Sequence, residues 1–306
     1  MRLAVLAASD SWYLNDLRRA AGSRHKIVGV AFDRLTSCLD SHGRRVAADG
    51  LVLNEFDAVM VRTMPPGSLE QVVFRMDALG TLADAGVVVI NPPRAVETAV
   101  DKYLASAKLH AAGLLTPRTL ACQSLTDALA GFHALGGDVV VKPLFGGEGR
   151  GIVRVNDESM AWRVFSTLAQ LRCVLYLQEY IPHNGFDLRL LVLGEQVFAM
   201  RRANPADWRT NVSRGASAEP FFPSGEMIET ARRAAAAIGA PFAGVDILPD
   251  KNGRDFVLEV NGVPGWKALS ATLQIDMAAL LLDYVEGLIR RRIDLPGKLD
   301  NGVRTG

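Results

Sequence analysis

Asp246, Glu259 and Asn261 are three hard oxygen donors on two neighbouring apolar runs, and together they suit a divalent cation such as magnesium carrying a nucleotide triphosphate. Glu259 and Asn261 are one residue apart, so on a strand both side chains face the same way while Val260 points into the core. Asn261-Gly262 alone would equally suit a strand-end turn; Asp246 is what turns the set towards a metal. Upstream, the apolar run Val139-Val140-Val141 ends in Lys142, and Pro143 gives no amide to a sheet. A lysine at the end of a buried strand needs an anion, and a triphosphate would satisfy it, as it would Lys102. The loop that follows carries Gly146, Gly147, Gly149 and Gly151, whose amides could close over phosphates. Its GGEGRG pattern matches neither a P-loop nor a dinucleotide turn, because a strand and not a helix comes next, and by itself it reads equally as a flexible hairpin.

Further along, Gln178-Glu179-Tyr180-Ile181 reads as an apolar strand edge whose backbone groups could recognise adenine, with Asp187 beyond it for ribose hydroxyls. Arg201-Arg202 and the stretch from Trp208 through Arg209, Thr210 and Asn211 to Gly215 form a cationic and amide cluster that is either a solvated loop or a holder of carboxylate and transferring phosphate. Arg290, Arg291 and Arg292 complement a helix dipole at its C-terminus and carry no function.

The elements that must position these groups follow from periodicity and turn residues. Leu3 to Leu6, a helix over residues 12 to 21, Ile27 to Phe32, Phe56 to Val61 and Val87 to Ile90 predict a small parallel sheet with helices on its faces. Arg62, at a strand end there, is either scaffold or one wall of a substrate cleft. One helix is expected over Ala95 to Ala112, with Asp101 and Lys102 on its exposed side. Val139 to Lys142 and Ile152 to Val155 predict a hairpin whose tip is the glycine loop. Leu175 to Ile181, Asp187 to Leu193 and Gln196 to Arg201 are further strands. The alanine-rich helix from Glu226 to Ile238 stops at Gly239. Val245 to Leu248 pairs with Phe256 to Val260 across Asp250-Lys251-Asn252-Gly253, and a helix from Asp276 to Arg291 closes the chain.

Composition narrows the classes. At 306 residues there is room for two or three lobes. A formal net charge of +1, with 34 Lys and Arg against 33 Asp and Glu, gives no global pull towards nucleic acid or an anionic membrane. No stretch reaches the roughly 20 apolar residues of a bilayer span, and the N-terminus has no signal core, so a cytoplasmic protein is expected. Cys38, Cys122 and Cys173 make no CxxC pair, and the histidines are scattered, which argues against zinc.

In their order, Ala99-Val100-Asp101-Lys102, VVVKPLFGGEGRGI, Gln178 to Ile181, Gly185-Phe186-Asp187-Leu188-Arg189, Met200-Arg201-Arg202, Trp208 to Gly215, Asp246 and Glu259-Val260-Asn261 with Pro264-Gly265 resemble the RimK-like glutamate ligases of the ATP-grasp superfamily. The resemblance runs from about Asp57 to Glu286. It implies an α/β (α+β) ATP-grasp fold: an N-terminal parallel-sheet lobe over residues 1–94, a central lid over 95–181, a C-terminal antiparallel lobe for metal and nucleotide over 182–294, and a flexible tail over 295–306. Lys102, Lys142 and the glycines would then hold ATP phosphates, Gln178, Glu179, Tyr180 and Ile181 adenine, and Asp187 ribose. Arg209, Thr210 and Asn211 would lie beside the nucleotide. Asp246, Glu259 and Asn261 would hold two magnesium or manganese ions, and Lys142, Arg202 and Asn211 would serve the reacting centre.

The implied reaction joins an amino acid, glutamate by resemblance, to an acceptor carboxylate activated as an acyl phosphate. The family also implies a dimer or tetramer. Two alternatives differ in class: a nucleotide-binding sensor without turnover, and an enzyme closer to glutathione synthetase or D-alanine ligase. The chain departs from the family at Asn261-Gly262-Val263-Pro264-Gly265-Trp266-Lys267, where Asn-Ser or Asn-Ala and a later acidic residue are usual. Trp266 and Lys267 there suggest an aromatic or anionic small-molecule acceptor rather than a protein tail.

Overall fold

The computed structural model describes residues 1–41, 43–147, 149–210 and 215–293. Asn211, expected at the reacting centre, and the tail 295–306 lie outside the described residues. The chain forms two compact units: Met1–Pro93 with the chain from Asp276 onward, and Arg94–Ile275.

In the first unit, β1 (Arg2–Leu6), α1 (Trp12–Ala21) and β2 (Lys26–Val30) open a parallel sheet. The chain then makes a small antiparallel sheet of β3 (Leu35–Asp40), β4 (Gly43–Ala48) and β5 (Leu51–Val52), which the sequence reading does not foresee because most of β3 is exposed and shows no apolar alternation. Strands β6 (Ala58–Val61) and β7 (Val88–Ile90), joined by α2 (Leu69–Asp84), complete the parallel sheet in the order β2-β1-β6-β7. Arg62 follows β6 and is buried, its guanidinium 4.5 Å from the Tyr13 ring centre. The final helix α9 (Met277–Ile293), expected to close the metal lobe, instead belongs to this unit. The reason is physical: its apolar stripe of Met277, Ala278, Leu281, Leu282 and Val285 is fully buried, it packs beside α1, and Arg19 of α1 fixes Asp276 through two bonds of 2.7 and 2.8 Å.

The second unit starts with α3 (Pro93–Val100) and α4 (Lys102–Ala111), which replace the single helix expected over Ala95 to Ala112. Asp101 breaks it, adopting extended backbone and accepting the Leu104 amide at 3.0 Å as an N-cap. Next come β8 (Thr119–Cys122), α5 (Leu125–Ala134), β9 (Val139–Lys142), β10 (Val153–Val155), α6 (Glu158–Gln170) and β11 (Leu175–Glu179). Their antiparallel sheet runs β10-β9-β11-β8 over a core that includes Phe132, Phe165, Val139 and Leu177. The glycine loop does join a hairpin, with Val141 opposite Val153. Strand β11, however, is interior: β8 and β9 flank it, so it is not the edge that the sequence suggested. Its run of Leu175, Tyr176 and Leu177, all almost fully buried, is what a strand enclosed on both sides requires.

The remaining elements are β12 (Phe186–Leu193), β13 (Gln196–Ala203), β14 (Ser217–Pro220), α7 (Gly225–Ile238), β15 (Phe242–Pro249), β16 (Asp255–Asn261) and α8 (Lys267–Leu273). The antiparallel order is β14-β13-β12-β15-β16, and α7 joins its core through Ala231, Ala234, Ala235 and Ile238. Trp266 is fully buried and its ring centre lies 6.0 Å from that of Phe242, which corrects the expectation that it faces an acceptor. Gly262 is also a packing position, since a Cβ there would stand 2.8 Å from Ala99 Cβ of α3. The departures from the family pattern at Gly262 and Trp266 are therefore answered by the core. Replacing Trp266 by Ala is expected to lower folding stability by about 3–5 kcal/mol, the usual cost of deleting a buried indole, read as an earlier urea midpoint. An unchanged midpoint would contradict this placement.

Candidate active site

Cross-strand register on four adjacent strands brings the charged residues together. On β12, Asp187 and Arg189 are two residues apart and so share a face. Asp187 lies opposite Arg202 of β13, Arg189 opposite Asp246 of β15, and Asp246 in turn opposite Glu259 of β16. An irregularity in the β15–β16 pairing falls just after Asp246. The result is a row of alternating charge across the sheet.

The contacts are close and largely dry. Arg202, 4% exposed, donates from Nε and Nη2 to the two oxygens of Asp187 at 2.7 and 2.6 Å, and its Nη2 also lies 3.1 Å from Asp246 Oδ1. Arg189 takes both oxygens of Asp246, with Nε 2.5 Å from Oδ1 and Nη2 donating to Oδ2 at 3.0 Å. The Thr210 side chain adds a hydrogen bond to Asp187. Burial pulls the Arg202 pKa down, but Asp246 and Asp187 outweigh it and hold the guanidinium well above its ordinary value. Asp187 was expected to hold a ribose; its geometry serves Arg202 instead, because a carboxylate this deeply buried must be paired.

The lysines approach from the other sheet's β9 and from the start of α4. Lys142, half-buried at the end of β9, donates from Nζ to Gln178 Oε1 at 2.5 Å. Gln178 Nε2 donates to Thr119 Oγ1 at 3.1 Å and to the Tyr176 hydroxyl at 3.5 Å, and that hydroxyl lies 2.8 Å from Ser106 Oγ. Thus Gln178 orients the lysine through its side chain. Burial brings the Lys142 pKa down to about 8, against the pull of Glu259, with Lys102 lowering it and Asp246 raising it. Burial lowers Lys102 too, while Glu259 supports its charge. The Lys102 ammonium donates to the Gly146 carbonyl at 2.5 Å, and its amide to Leu144 O at 3.3 Å, so the start of α4 holds the glycine loop. Gly146 and Gly147 are exposed and Gly149 is buried.

At the end of β11 the amides of Glu179 and Tyr180 are already used, donating to Arg118 O at 2.9 Å and Asp138 O at 3.0 Å. The Glu179 carboxylate holds Arg118, and Arg154 stacks on Tyr180 with its Cζ 3.5 Å from the ring centre. These two amides therefore cannot read adenine as expected, and Ile181, 8% exposed just beyond the strand, is the next backbone position. Arg209 is held by Asp207 at 2.6 and 2.9 Å.

Four cations, Lys102, Lys142, Arg189 and Arg202, thus stand with the carboxylates Asp187, Asp246 and Glu259, and Asp101 also supports the charge of Lys102. Val260 is fully buried and its neighbours Glu259 and Asn261 are half-buried, as period-2 alternation requires. Among the described residues no cluster of three His, Cys, Asp or Glu could by itself cage a metal. Two carboxylates and an amide do fit magnesium, whose remaining ligands are ordinarily phosphate oxygens and water.

A family model described as the RimK-like ATP-grasp domain matches residues 99–285. The tetrahydromethanopterin:alpha-L-glutamate ligase of Methanosarcina acetivorans is 35% identical over 271 residues, covering 79% of this chain and 83% of that protein. The chain belongs to the RimK-like ATP-grasp family. A probable alpha-L-glutamate ligase of Picosynechococcus is 31% identical over 294 residues, 94% of this chain and 95% of that one. The fold is also that of the ATP-grasp ligase PsnB complexed with a minimal precursor, with a TM-score of 0.74 at 24% identity over 93% of this chain and 98% of that one. This RimK-like protein is therefore an ATP-dependent ligase that forms a bond between an amine and a carboxylate. No single helix among its described residues is long and apolar enough to cross a membrane.

Sequence reasoning quoted Arg189 only within a motif and gave it no task. The signal was present in Asp187-x-Arg189, whose spacing sets both charges on one strand face. The lysine chemistry is testable. In the free protein Lys142 loses its proton as pH rises through about 8, whereas a bound triphosphate favours the ammonium. ATP binding near pH 8 is therefore expected to take up protons and to weaken as pH rises towards 9, and Lys142→Arg should abolish the uptake because arginine stays charged. Calorimetry in buffers of different ionisation enthalpy measures this; equal uptake in both proteins would contradict it.

Proposed function

We propose that the protein joins L-glutamate to the carboxylate of a small-molecule acceptor, spending ATP and passing through an acyl phosphate. The observation that carries this is the 35% identity to a tetrahydromethanopterin:alpha-L-glutamate ligase, and the buried charge row, which suits a metal-bound triphosphate, supports it. In this reading residues 95–181 act as lid and the strands from 182 onward as the metal and nucleotide lobe.

The acceptor carboxylate attacks the γ-phosphorus, ADP leaves, and the glutamate amine then displaces phosphate to form the amide. Lys102 and Lys142 hold the triphosphate, and the loop of Gly146, Gly147 and Gly149 closes over it and excludes water from the acyl phosphate. The backbone of Ile181 and the Tyr180 carbonyl carry adenine. Arg202, fixed by Asp187, presents a rigid positive charge to the transferring phosphoryl group. Asp246, Glu259 and Asn261 hold two magnesium or manganese ions, which neutralise phosphate charge when bound. Arg209, Thr210 and Asn211 flank the nucleotide. No enzyme nucleophile is required. The chain acts as a dimer or tetramer.

The test is incubation with ATP, magnesium, isotope-labelled glutamate and a panel of carboxylate acceptors that includes reduced pterins, with mass spectrometry for labelled amide and assay of ADP. A labelled product with stoichiometric ADP is expected. Nucleotide binding without ADP or product would favour a sensor. Glu259→Gln and Lys142→Ala should each cut turnover by at least about a hundredfold, the scale of losing one electrostatic contact in a water-excluded site, while leaving the circular dichroism spectrum intact. Unaltered turnover in both would remove these residues from the site.

A further inference from the structure

We infer that Arg189 is the resident counter-ion of the metal site, occupying Asp246 until a divalent cation displaces it, so that metal and nucleotide bind cooperatively. This rests on the reading above in which Asp246 and Glu259 are metal ligands.

Arg189 engages both oxygens of Asp246, at 2.5 and 3.0 Å, and Arg202 stands 3.1 Å from Oδ1, so the carboxylate already faces two guanidinium groups. A magnesium ion bonded to the same carboxylate at about 2.1 Å would bring a third cation into one barely hydrated spot. Of the two arginines, Arg202 is anchored elsewhere by its bidentate pair with Asp187. Among the described residues Asp246 is the only carboxylate that pairs with Arg189, so Arg189 is the one that yields.

The resting place is also built for it. Gly244, two residues before Asp246 on β15, leaves space for the guanidinium: a Cβ there would lie 2.5 Å from Arg189 Nη1 and 3.2 Å from Pro264 Cβ. An alanine at this position would press on the far end of a flexible side chain, which can move, and would ask Pro264 to give by only a few tenths of an ångström.

The consequence concerns affinity. With Arg189 in place a lone divalent ion must give up an existing charge-assisted contact to gain its own. A triphosphate arriving with the metal supplies new anionic oxygens for the freed guanidinium, which lowers that cost. Metal and nucleotide therefore each raise the other's affinity, as linkage demands. If Arg189 instead only oriented Asp246 for the metal, its removal would weaken metal binding. The two roles differ in sign.

The experiment titrates Mn2+ into the full chain without nucleotide, following free ion by electron paramagnetic resonance, and repeats it with a non-hydrolysable ATP analogue. Arg189→Gln is expected to bind Mn2+ alone about tenfold tighter or more, the scale of one charge-assisted hydrogen bond, and to show a smaller gain on adding the analogue. Gly244→Ala, which keeps the charge but pushes the guanidinium aside, should shift in the same direction and decides the matter if Arg189→Gln fails to fold by circular dichroism. Unchanged or weaker Mn2+ binding in the folded variants overturns the inference. Glu259→Gln separates this from the reading beneath it. Mn2+ binding that ignores Glu259→Gln places the metal elsewhere and overturns both. Binding lost in Glu259→Gln but not tightened in Arg189→Gln overturns only the role of Arg189.

Discussion

Burying an unpaired carboxylate or guanidinium costs several kcal/mol, so buried charges persist where a partner charge or hydrogen bonds satisfy them. Asp187, Arg202 and Asp246, with exposures of 4, 4 and 7%, are such a set, and with Arg189 they hold the rest of the site in place. Their pairing is written in strand register, each partner directly across from the next on β13, β12 and β15. A slip of one residue would turn the whole row to the opposite face. The five-stranded sheet and the α7 helix against its core therefore fix where charge can stand. Such pairs add little net stability and much geometry, and geometry is what phosphoryl transfer needs.

Strand β9 and the start of α4 contribute groups of a different character. Lys142 and Lys102 are held by neutral acceptors, Gln178 Oε1 and the Gly146 carbonyl, and not by carboxylates in direct contact. Neutral acceptors orient an ammonium without cancelling its charge, which leaves both lysines available to a polyanion. Glu259, opposite Asp246 on the next strand, is a carboxylate that favours the charged form of both lysines. The arrangement is thus cationic towards phosphate and anionic towards metal within a few side chains, which suits a metal-bound triphosphate better than either component alone.

Much of this was legible in the sequence because it depends on local periodicity. The Glu259, Val260, Asn261 alternation, the β9–β10 hairpin and the β15–β16 pair all follow from period-2 patterns and turn residues. What was missed depends on who lies next to whom. Strand β11 looks like an edge until β8 is found beside it, and Asp187 looks available until Arg202 is found opposite. Trp266 reads as a sign of an acceptor and proves to be a core contact with Phe242, and Gly262, a departure from the family pattern, proves to pack against Ala99. The break at Asp101 was readable in principle, since an aspartate ahead of Lys102 is a good N-cap, but alanine-rich surroundings masked it.

The central claim is that one charge row positions metal and triphosphate together. A crystal structure with magnesium and a non-hydrolysable ATP analogue tests it most directly. The account predicts magnesium bonded at about 2.1 Å to oxygens of Asp246, Glu259 and Asn261, with the triphosphate between them and the Lys102 and Lys142 ammonium groups. A nucleotide bound away from both lysines, or a metal with neither Asp246 nor Glu259 among its ligands, would contradict it.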